Sequence, residues 1–134
     1  MTGIAFVCVG NAGRSQMATA LAERERAERG MDVEIITGGV DPAQSVHDEV
    51  VKAMGEIGID ISDRKPRQIT PKDIEDVDYV ITMGCSVEQF RPDDWDGESY
   101  VWELESADTR DQRDELNRRV KQFFDDLEQH KGEP

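Results

Sequence analysis

The spacing of hydrophobic and polar residues changes repeatedly along this chain between the pattern of a strand and the pattern of a helix. This alternation predicts strands separated by helices. Residues 4–7 are continuously apolar, which indicates a buried strand over residues 3–8. From Ser15 to about Arg29 the apolar residues recur at helical spacing, and Gly30 is a suitable stop. Ser15 is a suitable N-cap for that helix. The chain is thus expected to open with a strand, a short loop and a helix.

The same periods continue to the C-terminus. They predict three more strands, at residues 32–37, 78–83 and 99–102. They predict three more helices: one from residue 45 to Gly58, a brief one capped by Thr70 with Pro71 in its first position, and one that ends near residue 129. Residues 59–62 are expected to be extended, and residues 131–134 are expected to be frayed.

This order of elements predicts the fold class. Strands that alternate with helices favour an α/β fold, a parallel sheet with helices on both faces, here with four strands. The 134 residues suit one domain, residues 1–134. Ligands of such sheets bind beyond the carboxyl ends of the strands. Cys8, Cys85 and the loop after Trp102 all follow predicted strand ends, so they are expected to converge.

The loop between the first strand and the first helix has the features of an anion site. A cysteine, five residues and an arginine (Cys8 to Arg14) lie between the two elements, and we call residues 8–14 the oxyanion loop. Successive backbone N–H groups in such a loop form an anion-binding nest, and the helix dipole adds positive potential. The guanidinium of Arg14 fits a tetrahedral oxyanion bidentately. The predicted anion-binding residues are Val9, Gly10, Asn11, Ala12, Gly13 and Arg14.

Cys8 lies at the point where this positive potential is expected to be strongest. Such a field favours the thiolate form of a cysteine, and a hydrogen bond from Ser15 would help to stabilise it. The alternative is that Cys8 is a small buried hydrophobic residue. The flanking strand and helix favour the functional interpretation, because they provide the structural context that the motif requires. The sequence therefore predicts a nucleophilic thiolate beside a phosphate-shaped pocket.

Residues 8–18 resemble the signature of the low-molecular-weight protein tyrosine phosphatase superfamily, which includes arsenate reductases coupled to thioredoxin or mycothiol. The run Gln16-Met17-Ala18 resembles the reductase branch, because phosphatases of the superfamily usually have proline at the position of Gln16. The resemblance implies a three-layer, phosphatase-I-like fold and a role in arsenical resistance. It also implies catalytic roles for Cys8, Arg14 and Ser15.

Net charge and the absence of an apolar segment narrow the function classes. The chain has 30 acidic and 16 basic residues, a net charge of −14, which argues against general nucleic-acid binding. The excess of acid is typical of proteins adapted to a salty cytoplasm, as in halophilic organisms, and an ordinary acidic surface is the alternative. With no membrane span and no signal-like N-terminus, a cytoplasmic location is expected.

The second cysteine has two possible roles. Cys85 follows the third predicted strand, and Thr82-Met83-Gly84-Cys85 resembles the reductases, whose thiol at this place attacks the first cysteine. The chain has only two cysteines, so it lacks the third cysteine of the full thioredoxin-coupled relay. Either Cys85 forms a disulfide with Cys8, or an external thiol attacks the Cys8 adduct while Cys85 is a small buried residue. In both cases an external reductant is implied, thioredoxin-like or of low molecular weight.

The general acid of the superfamily has no counterpart at the expected position. An Asp-Pro pair usually follows the last strand, whereas Ser106 and Ala107 stand there in this chain. Glu105 or Asp108 could supply the proton from a shifted loop, and we favour Asp108; solvated carboxylates are the alternative for both.

No cofactor or metal site is expected. There is no C-x-x-C spacing and no His/Cys cluster, and His47 and His130 are isolated and interpreted as surface residues. Thr19 stands where some reductases have a potassium-binding glutamate.

Three functions follow from this interpretation. The first is an arsenate reductase in which Cys8 attacks arsenate and Asn11 holds the loop. The second is a tyrosine phosphatase that forms a phosphocysteine intermediate on the same residues. The third is an oxyanion-binding or regulatory module with impaired turnover, which the residue at position 106 favours.

Overall fold

The central feature of the fold is a four-stranded parallel sheet with the order β2-β1-β3-β4. The computed structural model describes residues 2–131. The strands are β1 (Thr2–Cys8), β2 (Val33–Gly39), β3 (Tyr79–Met83) and β4 (Glu98–Val101), and each neighbouring pair is parallel. The predicted α/β class and the four-stranded parallel sheet are confirmed.

Helices cover both faces of the sheet. The helices are α1 (Arg14–Arg29), α2 (Asp48–Gly55), α3 (Pro71–Ile74) and α4 (Thr109–Lys131), with a 3-10 turn at Val87–Gln89. β1 is central and buried on both faces: Ile4, Phe6 and Cys8 pack into the cluster beneath α1 and α4, and Ala5 and Val7 into a smaller cluster on the other face. The continuous apolar run in the sequence is explained by this position.

Two local predictions are wrong. α1 begins at Arg14 with Gly13 as its N-cap, so Ser15 lies inside the helix. α2 begins at Asp48, because residue 47 is extended (φ −63°, ψ 138°) and bonds back to the oxyanion loop. Residues 59–61 lie in no helix, strand or turn: the N–H of Ile59 donates to the carbonyl of Met54, and the N–H of Ser62 donates to the Asp60 carboxylate.

The described residues contain no helix that is long and apolar enough to cross a membrane.

The predicted capping of α3 by Thr70 is confirmed, since its hydroxyl accepts from the N–H of Asp73 and Pro71 occupies the first turn. Residues 132–134, for which fraying was predicted, lie outside the described residues.

Candidate active site

The oxyanion loop turns its carbonyl groups outward and its N–H groups inward. Four of its carbonyls accept hydrogen bonds from backbone N–H groups of the segment that follows β2. Written as donor to acceptor, these bonds are Val40 to Cys8, Asp41 to Val9, Ala43 to Gly10 and His47 to Ala12. In a planar trans peptide the next N–H points the opposite way. Four N–H groups, those of residues 9, 10, 11 and 13, therefore face the inside of the loop, as an anion-binding nest requires.

The Cys8 sulfur lies inside this loop, and the residue as a whole is only 3% exposed to solvent. The N–H of Asn11 donates to Sγ at 3.2 Å, and the hydroxyl oxygen of Ser15 lies 2.9 Å from Sγ. The predicted contact between Ser15 and the sulfur is present, although Ser15 makes it from inside α1 instead of from the N-cap.

A chain of hydrogen bonds determines which way the Ser15 hydroxyl points. The N–H of Arg67 can only donate, and it donates to Oδ1 of Asn11 at 3.0 Å, which fixes the orientation of that amide. Nδ2 of Asn11 then donates to the hydroxyls of Ser15 (2.7 Å) and Thr37 (2.9 Å). Because Ser15 accepts from Asn11, its own hydrogen is free to donate to the Cys8 sulfur. Two hydrogen-bond donors, the N–H of Asn11 and the hydroxyl of Ser15, can thus point at the sulfur.

Asn11 adopts an unusual backbone conformation, and Gln16 supports it. Asn11 has a φ of 52°, in the left-handed region that asparagine tolerates better than most residues. The buried amide of Gln16 donates to the backbone carbonyl and to Oδ1 of Asn11, both at 3.1 Å. Gln16, which the sequence analysis connected only with the reductase branch, thus holds the loop in shape.

The loop forms the floor of a small pocket of about 190 Å³. Its lining includes residues from the first turns of α1, α2 and α4, and the N-terminal end of a helix carries partial positive charge. The lining residues are Cys8, Gly10, Ala12, Gly13, Arg14, His47, Glu49, Val50, Ala107, Thr109 and Gln112. The helix N-termini and the Arg14 guanidinium favour a bound anion, and the carboxyl group of Glu49 opposes it, on a chain of net charge −14.

The guanidinium of Arg14 is held by packing. Among the described residues it makes no side-chain hydrogen bond or ion pair, so its N–H groups are available to a ligand. It lies against the backbone of Gly84, where a Cβ atom would be only 2.8 Å from Nη2. Gly84 itself has a φ of +80° and joins β3 to the segment that carries Cys85.

Cys85 is close to Cys8 along the sheet but lies on the other face. Met83 of β3 is paired with Cys8 of β1, and Cys85 lies two residues after Met83 in the chain. Its half-buried side chain packs with the cluster that contains Val7, and its thiol points to the Val7 carbonyl at 3.8 Å. Burial raises the pKa of the Cys85 thiol, with Cys8 adding to the rise. Both cysteines are free thiols.

Asp108 is not in the pocket wall. Its carboxylate accepts from the N–H of Asp111 at 3.0 Å, and its carbonyl accepts from the N–H of Gln112, so it caps the start of α4. The hydroxyl of Ser106 supports the same cap, and Glu105 likewise does not line the pocket. One oxygen of the Asp108 carboxylate thus serves the N-terminus of α4, and a role of Asp108 as the general acid stays a prediction.

Two ionisable residues of the pocket escaped the sequence analysis. His47, interpreted as a surface residue, is exposed but lines the pocket, and Glu49 lies beside it. No spacing or motif connects residues 47 and 49 with the oxyanion loop, because only the tertiary fold brings α2 to it. Of the predicted anion-binding residues, Val9 and Asn11 do not line the pocket. Within residues 2–131 no group of three metal-ligating side chains is present.

Comparisons with known proteins agree with this geometry. The model of the low molecular weight phosphotyrosine protein phosphatase family matches residues 3–116. A putative arsenate reductase of Halobacterium salinarum is 46% identical over 134 residues, covering 94% of this chain and 93% of that protein. The thioredoxin-dependent arsenate reductase of Corynebacterium glutamicum has a similar structure, with a TM-score of 0.82 and 34% identity. The match covers 97% of this chain but only 63% of the Corynebacterium protein.

A solved arsenate reductase in its phosphate-binding state is also similar, with a TM-score of 0.72, 29% identity and coverage of 92% of this chain and 96% of that one. The family model alone spans most of the chain, and the Halobacterium relative is similar along nearly its whole length. The chain is therefore a member of the low molecular weight phosphotyrosine protein phosphatase family of enzymes.

Proposed function

We propose that this protein is an arsenate reductase. Arsenate binds in the pocket, where the inward N–H groups of the oxyanion loop and the guanidinium of Arg14 hold its oxygens. The Cys8 thiolate attacks arsenic, one oxygen leaves as water, and an S–As bond forms. A second thiol then attacks the Cys8 sulfur, arsenic takes the electron pair of the S–As bond, and arsenite leaves. Two thiols are oxidised to a disulfide while As(V) is reduced to As(III).

The observation that carries this proposal is the size and lining of the pocket. Its volume of about 190 Å³ suits a tetrahedral oxyanion, and its lining residues include no phenylalanine, tyrosine or tryptophan. A phosphotyrosine ring would need an apolar or aromatic wall beside the phosphate site, as ligand pockets generally provide. The relatives named arsenate reductase support the same conclusion.

Each residue around the sulfur has a defined role in this proposal. The N–H of Asn11 and the hydroxyl of Ser15 stabilise the thiolate, at 3.2 and 2.9 Å from Sγ. A hydrogen bond to a charged group contributes roughly 1.5–3 kcal/mol. Losing the bond from Ser15 is therefore expected to lower turnover about 10- to 100-fold if the thiolate is the attacking form.

The identity of the second thiol decides the later steps. An internal Cys8–Cys85 disulfide would join two thiols at the carboxyl ends of the neighbouring strands β1 and β3, where the Cys85 thiol lies 3.8 Å from the Val7 carbonyl. An external thiol can instead reach the pocket from solvent. Either route ends with an external reductant, thioredoxin-like or a low-molecular-weight thiol, and the thioredoxin-dependent neighbour supports a partner of this kind.

The second candidate is a phosphatase, which the family match favours. The same Cys8 would attack phosphorus and form a phosphocysteine intermediate that water hydrolyses. The third candidate, an oxyanion-binding module without turnover, is favoured by the place of Asp108 outside the pocket wall.

One assay separates the three candidates. Purified protein is given arsenate with thioredoxin plus its reductase, or with each of several low-molecular-weight thiols, at low and at molar KCl; hydrolysis of an aryl phosphate is measured in parallel. Arsenite without aryl phosphate hydrolysis supports the reductase, the reverse supports the phosphatase, and phosphate binding without turnover supports the module.

Three variants connect the activity with the geometry. Cys8→Ser is expected to abolish turnover, and Ser15→Ala to lower it 10- to 100-fold as estimated above. Cys85→Ser distinguishes the routes: loss of turnover only with thioredoxin indicates the internal disulfide, and unchanged turnover indicates direct attack by the external thiol. Full activity of Cys8→Ser would contradict the proposal.

A further inference from the structure

The proposed reaction needs a proton that the loop after β4 does not deliver. When Cys8 attacks arsenate, the departing oxygen must be protonated to leave as water. The carboxylate of Asp108 caps α4, the hydroxyl of Ser106 bonds to Asp111, and Glu105 is outside the pocket wall. The α4 side of the pocket consists of Ala107, Thr109 and Gln112, none of which is ionisable.

Only two lining side chains besides Cys8 and Arg14 can carry a transferable proton, and both come from the start of α2. Glu49 carries a carboxyl group and lies in the first turn of that helix. An ionised carboxylate has no proton to give and repels a bound oxyanion. An imidazole is different, because its cationic form both attracts the anion and holds a proton near neutral pH.

His47 is fixed above the oxyanion loop from two sides. Its N–H donates to the carbonyl of Ala12 at 3.0 Å, and its own carbonyl accepts from the N–H groups of Val50 and Val51 at 3.0 and 3.1 Å. A Cβ atom built on Gly13 would lie 3.8 Å from Cδ2 of the imidazole, so the edge of the ring lies beside Gly13. The side chain of His47 makes no capping bond to α2, which leaves the ring free for chemistry.

We propose that His47 is the proton donor to the oxygen that leaves the bound oxyanion. The imidazolium gives its proton to an As–OH oxygen as the Cys8 sulfur forms the S–As bond. The As–O bond breaks, water leaves, and His47 becomes neutral while arsenic stays pentavalent. This step consumes one thiolate and one proton and needs no further reactant. The inference rests on the proposed function, whose chemistry it completes.

Besides His47, the ionisable residues that line the pocket are Cys8 and Arg14, from the oxyanion loop and the start of α1, and Glu49, from α2. Asp48 follows His47 directly in the chain, and α4 contributes no charged group to the pocket lining. Glu49 can be replaced without removing the nucleophile, so a pH dependence that disappears with His47 but stays in Glu49→Gln is assigned to His47.

The test is the pH dependence of kcat in the full chain, measured with saturating arsenate and saturating external thiol. For the wild type we expect kcat to fall on the alkaline side of its profile, as the proton donor loses its proton. His47→Gln is expected to lose this limb and to lower kcat by about 10²–10⁴-fold, the usual contribution of a general acid. Phosphate affinity at high pH, measured as protection of Cys8 from iodoacetamide, is expected to stay within a few-fold of the wild-type affinity. A retained affinity shows that the variant is folded, so that its lower kcat reports the loss of the proton donor. His47→Asn serves as a second variant.

Two comparison variants make the result decisive. Asp108→Asn and Glu49→Gln are each expected to keep the limb. The inference is overturned if His47→Gln keeps the limb, or if either comparison variant loses it. If the wild type hydrolyses aryl phosphate but makes no arsenite, the proposed function fails while the same variants still test His47, because a phenolate leaving group also needs a proton. A wild type without either activity overturns both.

Discussion

Gly84 controls the position of Arg14, and replacing it by alanine tests the anion site without touching a residue that binds the anion. A Cβ atom on Gly84 would lie 2.8 Å from Nη2 and 3.0 Å from Nη1 of Arg14. Both distances are below van der Waals contact. Because the guanidinium is the free end of a long side chain, we expect it to move away and the backbone to stay. The effect should therefore appear in anion affinity more than in stability.

A matched control separates this displacement from backbone strain. Gly84 has a φ of +80°, and alanine there is strained by about 1–2 kcal/mol. Gly58 has a φ of +82° with no atom within 4 Å of the new Cβ, so Gly58→Ala carries the same strain without a clash. Both variants are expected to lose a similar free energy of unfolding in urea.

The two variants should differ in phosphate binding. A displaced Arg14 no longer forms its charge-assisted hydrogen bonds, which contribute roughly 1.5–3 kcal/mol. Gly84→Ala is thus expected to weaken phosphate binding about 10- to 100-fold, and Gly58→Ala to leave it unchanged. Isothermal titration calorimetry with inorganic phosphate measures both. In an Arg14→Lys background the Gly84 effect should shrink, as expected for residues in contact. Equal phosphate affinity of Gly84→Ala and Gly58→Ala would refute the reasoning.

Two further predictions concern stability. Trp95→Phe removes the indole N–H that donates to the buried carbonyl of Val77 at 2.7 Å. Leaving that carbonyl unpaired should lower the free energy of unfolding by about 1–3 kcal/mol and leave phosphate affinity unchanged. A urea midpoint equal to that of the wild type would contradict this. Hydrogen bonds from Arg110 and then Arg113 lower the pKa of Glu56 from 4.5 to about 2. The folded state therefore gains stability from Glu56 above pH 4.5 and loses it as pH falls towards 2. Glu56→Gln should flatten the unfolding curve in that window, and molar KCl should weaken the difference because the pair is exposed; an unaltered acid limb in the variant would contradict the assignment.

The local pattern of the sequence determined the elements and the chemistry of the oxyanion loop. The apolar run before Cys8 indicated a buried strand, and a cysteine, two glycines and an arginine in the following loop suit an anion nest. These predictions depend on residues close together along the chain, so the order of strands and helices and the contact of Ser15 with the Cys8 sulfur could be predicted. Helix boundaries were less accurate, because the capping of α1 and α2 depends on contacts with the loop.

Only the tertiary structure decided what surrounds that loop. His47 reaches the pocket because its N–H bonds to Ala12 across 35 positions of the chain, and the Asp108 carboxylate caps the start of α4. The face on which Cys85 lies depends on the turn at Gly84, whose positive φ no periodicity indicates. A sequence pattern records which residues are near each other along the chain, whereas a pocket collects side chains from separate elements, and their directions are set by packing.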